Sequence, residues 1–100
     1  MNVEYQSTGV LQTCRELGVA MVAYSPLGRG MLTGRYKSAD DFEEGDFRKI
    51  SPQYSAENFP KNLKLVHEIV TLAEKKNCTA GQITLAWLLA QGDDIFPIPG

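Results

Sequence analysis

Residues 19–35 read VAMVAYSPLGRGMLTGR, and the change of character at Tyr24-Ser25-Pro26 decides how the chain folds. Upstream, Val19 to Tyr24 is an almost unbroken apolar run, the pattern of a parallel strand covered on both faces. Downstream come Gly28, Arg29, Gly30, Gly34 and Arg35. Glycine lets a backbone come close to a ligand, and guanidinium groups pair with phosphate oxygens. A strand running into Ser25-Pro26-Leu27-Gly28-Arg29-Gly30 puts backbone amides, a hydroxyl and a guanidinium at the carboxyl end of a parallel strand, where α/β sheets hold ligands. Tyr24 offers a flat ring at the strand mouth. On these residues alone, a phosphate cradle and a tight turn with surface arginines are both open.

Working outward, Val3-Glu4-Tyr5 has the form of a strand tail. Thr8 to Leu17 carries Val10, Leu11, Cys14 and Leu17 at the spacing of one helical face, with Ser7 or Thr8 as N-cap and Gly18 suited to the position after the helix. Strand, helix, strand predicts a βαβ crossover. Beyond Leu32 the periodicity disappears until about Ser55, which predicts a long binding or covering loop with Phe42 and Phe47 as apolar anchors. Asp40, Asp41, Glu43, Glu44 and Asp46 lie within it, without the alternating register of a calcium loop, so they read as solvated.

Asn62 to Asn77 is the next helix, with Phe59, Leu63, Val66, Val70 and Ala73 at threes and fours and Pro60 near its first turn. Thr79-Ala80-Gly81-Gln82 has the form of a capping box opening a more buried helix through Ile83 to Gln91. Ile95-Phe96-Pro97-Ile98 resembles a short strand in which Pro97 must avoid a ladder amide position or sit at an end. The order β, α, β, long loop, α, α, β is an α/β architecture. Three parallel strands leave unpaired edges and incomplete helix layers, as expected of a piece of a larger sheet or barrel.

Composition narrows the function classes. The 100 residues are 43% hydrophobic and 22% charged, the balance of one ordinary globular domain. A net charge of −2 and a pI near 5.3 supply no attraction for nucleic acid or anionic lipid. No apolar run approaches the roughly 20 residues of a membrane span, and no leader pattern opens the chain, so the expectation is a soluble cytoplasmic protein with neither nucleic-acid nor membrane partners. Cys14 and Cys78 are isolated and read as free thiols, with no metal site. His67 reads as a helix-surface or core-edge residue, and Trp87 and Phe96 as packing residues. Lys61, Lys64, Lys75 and Lys76 form a solvated face with Glu68 and Glu74 as partners.

The run Thr13 to Gly30 followed by Leu32-Thr33-Gly34 closely resembles the aldo-keto reductase family. The likeness continues through Phe42 to Phe47, Asn58-Phe59 to Asn62-Leu63, Cys78 to Gln82 with Leu85-Ala86-Trp87, and Ile98-Pro99-Gly100. It covers nearly the whole chain, in the form common among fungal and plant members. The resemblance implies the C-terminal portion of a (β/α)8 TIM barrel, strands six to eight with their helices, from an enzyme reducing aldehydes or ketones with NADPH. A whole barrel takes about 250 residues, so the remaining barrel segment is expected to be needed for a complete fold. The resemblance also implies that Tyr24 stacks on the nicotinamide, that Ser25, Pro26, Leu27, Gly28 and Arg29 line the pyrophosphate, and that Arg35 lies close to the same phosphates. Asn2 falls where the family usually has a glutamine bonding the carboxamide; it is one methylene shorter, so that contact is lost or water-bridged.

The family's catalytic aspartate, tyrosine, lysine and histidine belong to earlier strands. None of Tyr5, Tyr24, Tyr36, Tyr54 or His67 sits in a matching motif, so no catalytic residue is assigned. Two functions stay open: a cofactor-binding segment of an NADPH-dependent reductase acting on a small carbonyl substrate, and a catalytically inactive truncated or divergent member serving as an interaction module.

Overall fold

The computed structural model describes residues 9–100. The expected strand at residues 3–5, the N-cap candidates Ser7 and Thr8, and Asn2 lie outside the described residues. Helix α1, Val10–Glu16, leads into strand β1, Met21–Tyr24. Helix α2, Phe59–Lys75, helix α3, Ala80–Leu89, and strand β2, Ile95–Ile98, close the order.

The two strands pair in parallel, Met21 opposite Ile95 and Tyr24 opposite Ile98. The Met21 N–H donates to the Asp94 carbonyl at 2.7 Å. Because backbone groups alternate sides along a strand, this bond sets the phase: residues 94, 96 and 98 turn their amides toward β1, and Pro97 turns its nitrogen the other way. No carbonyl of β1 asks for the N–H that Pro97 lacks.

The same alternation gives the sheet two unlike faces. Ala23 and Ile95 pack under Leu88 of α3, which is 1% exposed, with Leu11 and Met21 at the margin. Val22, Tyr24, Phe96 and Ile98 point to the opposite side and are all exposed. The expectation of a strand covered on both faces is therefore corrected: the helices in these residues cover one face alone. Phe96, expected to be a packing residue, lies on the bare face, and Trp87 is half-exposed beside the buried Leu88. Arg15 of α1 reaches the turn before β2, its Nε donating to the Asp94 carboxylate at 2.7 Å and its Nη2 to the Gln91 carbonyl at 2.7 Å.

Helix α2 starts at Phe59, ahead of the expected Asn62, because Pro60 fits a first turn where its missing N–H has no partner to lose. Phe59, Val66 and Ala73 recur at sevens and form its buried stripe. The capping box of α3 is present: the Gln82 N–H donates to Thr79 Oγ1 at 3.2 Å, and the Thr79 N–H donates to Gln82 Oε1 at 2.9 Å. His67 is exposed on α2, and both cysteines are free and half-buried. Among the described residues no helix is long and apolar enough to cross a membrane.

The segment expected as one long loop is a chain of short 3-10 turns, Met31–Thr33, Ala39–Asp41, Phe47–Lys49 and Pro52–Tyr54. Two of its acidic residues, Asp41 and Asp46, cap these turns. Asp41 accepts from the N–H groups of Lys37 and Ser38 at 2.7 and 3.0 Å, which hold its carboxyl below the usual range. Asp46 accepts from the Arg48 N–H at 2.9 Å. Phe42 anchors the segment as expected, 3% exposed in a core with Met31, Tyr54, Phe59 and Val66. Phe47 does not: it is exposed, so one anchor holds where two were expected.

Candidate functional site

The site grows from the end of β1. After Tyr24 the backbone enters the left-handed region at Ser25, φ 48°, and again at Gly28, Arg29 and Gly30, φ 58°, 54° and 90°. For a residue with a Cβ this region costs on the order of 1–3 kcal/mol, so Ser25 and Arg29 hold a shape that their surroundings must impose. Pro26, fully buried, fixes the loop to the body of the chain.

The loop satisfies much of its own backbone. Gly28 N–H donates to the Ser25 carbonyl at 3.0 Å, Gly30 N–H to Leu27 at 3.1 Å and Met31 N–H to Gly28 at 3.2 Å. Among the described residues, the N–H groups of Leu27 and Arg29 donate to no protein acceptor. Two carbonyls are fastened from outside the loop: Tyr54 Oη donates to Gly28 at 3.1 Å, and Arg48 Nη1 to Arg29 at 2.7 Å.

Between this loop and α2 lies a cleft of about 470 Å³. Tyr24, Ser25 and Arg29 border it on one side, Phe47, Gln53 and Asn62 on the other. Among the described residues no carboxylate lines it, and the Arg29 guanidinium, 4.8 Å from the centre of the Phe47 ring, is the one charged group that does. Among the described residues Arg29 is in no ion pair. Interaction with Ser25 and then with the Arg29 guanidinium holds the Tyr24 phenol below its ordinary value. Tyr24 itself is 72% exposed, with its ring free for a flat partner. A free cation, unpaired N–H groups and an absence of carboxylates fit an anion, and the chemistry of the set suits the diphosphate of a dinucleotide.

Of the residues expected in the site, Tyr24, Ser25, Pro26, Gly28 and Arg29 come together at the cleft. Leu27 is half-buried and does not line it. Arg35 lies away from it, with its guanidinium 5.6 Å over the Tyr36 ring. Asn2 is outside the described residues. Sequence reasoning missed Arg48, Asp46 and the hydroxyl of Tyr54. Arg48 is nearly buried; its Nε donates to both Asp46 oxygens at 3.0 and 3.1 Å, and its guanidinium sits 4.5 and 4.3 Å from the Tyr36 and Phe42 ring centres. Asp46 is lowered to about 2 by that side-chain bond, and Arg48 is raised correspondingly. No spacing rule marks the contacts of Arg48 and Tyr54 with the loop, because their partners lie 19 and 26 positions away.

Comparison with known proteins supplies the family. The pattern described as Aldo/keto reductase family matches residues 1–100. Two curated relatives align with the whole chain: aldo-keto reductase yakc, NADP(+), of Schizosaccharomyces pombe, 58% identical, and aldo-keto reductase str7 of Strobilurus tenacellus, 56% identical. The chain spans 29% and 30% of their lengths. Among solved structures it is similar to the glycerol dehydrogenase AKR11B4 of Gluconobacter oxydans, with a TM-score of 0.72 and 28% identity, over 86% of this chain and 27% of that one.

Proposed function

Given that the chain belongs to the aldo/keto reductase family, we propose that residues 24–30 form the nicotinamide and diphosphate part of an NADPH site in a (β/α)8 reductase of aldehydes or ketones. Here β1 and β2 stand as the seventh and eighth strands of the barrel. One observation carries the proposal: a cleft at the carboxyl end of a parallel strand, lined among the described residues by no carboxylate, with the Arg29 guanidinium and the Arg29 N–H, which has no protein acceptor among those residues, beside it. The NADP(+) in the name of the S. pombe relative supports the choice of nucleotide.

When bound, the nucleotide supplies the hydride. This chain's residues bind and orient: Tyr24 stacks on the nicotinamide, Ser25 and the Arg29 amide bond phosphate oxygens, and the Arg29 guanidinium neutralises them. The proton donor and its helpers sit on earlier strands, and the bare face of Val22, Tyr24, Phe96 and Ile98 is the side on which the rest of the barrel packs. A cytosolic setting accords with two free thiols.

The alternative, an inactive interaction module, draws on the same bare face. A barrel-length protein in which residues 1–100 replace the matching segment of the S. pombe relative separates the two. NADPH oxidation with a small aldehyde, lost in Arg29→Ala through a raised KM for NADPH, is the expected result. A folded hybrid that binds no NADPH would overturn the proposal and leave the module.

A further inference from the structure

Resting on that assignment of the diphosphate site, we infer that Tyr54, at the edge of the cleft, and Arg48, outside it, are positioning residues that set the orientation of the phosphate-binding amides. In a trans peptide the C=O and N–H of one unit point in opposite directions. The Gly28 carbonyl and the Arg29 N–H belong to one such unit. Tyr54 Oη, on a buried ring, holds that carbonyl at 3.1 Å together with the Met31 N–H at 3.2 Å, and this pair of donors turns the Arg29 N–H the other way, where it meets no protein acceptor among the described residues. The next unit is held as firmly: Arg48 Nη1 grips the Arg29 carbonyl at 2.7 Å, which keeps Arg29 at φ 54°.

Arg48 is itself fixed. Asp46 takes its Nε and Nη2, Tyr36 and Phe42 flank its plane, and Nη1 alone reaches the loop. Both grips come from the 3-10 turns at Phe47–Lys49 and Pro52–Tyr54, so the segment over the cleft shapes the strand-end loop from behind. Without them Arg29 is free to leave the left-handed region, and the donor set loses its convergence.

The test uses the hybrid described above, with NADPH affinity followed by fluorescence and steady-state turnover alongside. Tyr54→Phe keeps the ring in the core and removes one donor, and Arg48→Lys keeps the charge and removes the fork. Each is expected to raise the Kd for NADPH about three- to tenfold, the range of one directed hydrogen bond, with kcat at saturating NADPH within twofold and, for Tyr54→Phe, a melting midpoint lowered by no more than the loss of one hydrogen bond implies and the protein folded at the assay temperature. Arg29→Ala serves as the reference. If it weakens NADPH while Tyr54→Phe and Arg48→Lys leave the Kd unchanged, the positioning role is wrong and the diphosphate site stands. If Arg29→Ala has no effect either, the site assignment fails and the positioning role fails with it.

Discussion

Replacing Gly30 by alanine should damage the chain more than replacing Gly28, although both glycines lie in one turn at positive φ. Gly28, at φ 58°, sits at the centre of the left-handed region, and an added Cβ would meet the flexible Leu32 Cγ at 3.4 Å. Gly30 is at φ 90° and ψ −11°, off that centre. A Cβ there would lie 3.0 Å from Tyr36 Cε2, closer than van der Waals contact permits. The Tyr36 ring has little room to recoil, with the Arg48 guanidinium 4.5 Å from its centre and the Phe42 ring at 5.0 Å. The left-handed conformation costs an alanine roughly 1–2 kcal/mol. Overpacking against the ring adds about 1–3 kcal/mol, and the stiffer unfolded chain returns about 0.4–1 kcal/mol. Gly30→Ala should therefore destabilise by about 1–5 kcal/mol, and Gly28→Ala, with no overpacking, by at most about 1.6 kcal/mol. Urea unfolding of the hybrid barrel at 25 °C measures both, as a shift of midpoint at constant slope. Combining Gly30→Ala with Tyr36→Ala, which opens space at the ring, should recover the overpacking share. Equal losses for the two glycines, or a Gly30 cost indifferent to Tyr36, would refute the reasoning.

Other perturbations follow from the same geometry. Phe42→Ala removes the buried ring that holds the turns to α2 and should cost about 3–5 kcal/mol, visible as faster proteolytic cutting between residues 43 and 51. Thr79→Ala deletes the acceptor of the Gln82 N–H and should cost about 1 kcal/mol, measured by urea unfolding. Asp46 has its folded-state pKa lowered from 3.8 to about 2, so its ion pair stabilises fully above pH 3.8 and is lost as pH falls through about 2. The melting midpoint of the unmutated hybrid should accordingly fall more steeply between pH 4 and 2 than that of Asp46→Asn, and parallel curves would count against the pairing.

What was legible in the sequence was local. The Thr79 and Gln82 capping box, Pro60 in a first turn and the threes and fours of α2 each depend on neighbours within one turn, and all of them formed. The strand at Met21–Tyr24 and the bend after it were legible from the change of residue type at Tyr24. The segment after Leu32 reads as a loop because 3-10 turns have no hydrophobic period. Yet Ser38 with Asp41, and Asp46 ahead of Arg48, are side chains of the sort that cap turns. Phe47 and Phe42 look alike in sequence; only the packing of Tyr36, Tyr54 and Phe59 around one of them separates buried from exposed. The grips of Arg48 and Tyr54 on the strand-end loop were out of reach, since they join distant residues by donors to backbone carbonyls, which carry no residue identity.

Pro97 has a consequence for the chain while it is being made. A short strand that leaves the ribosome with one side unpaired is a template on which another nascent chain can add, and such cross-pairing begins aggregates. Here the outward side of β2 lacks a donor at its third residue, so an intruder would find a missing rung mid-strand, whereas the pairing with β1 loses nothing. The proline acts as a gatekeeper against partners from other molecules.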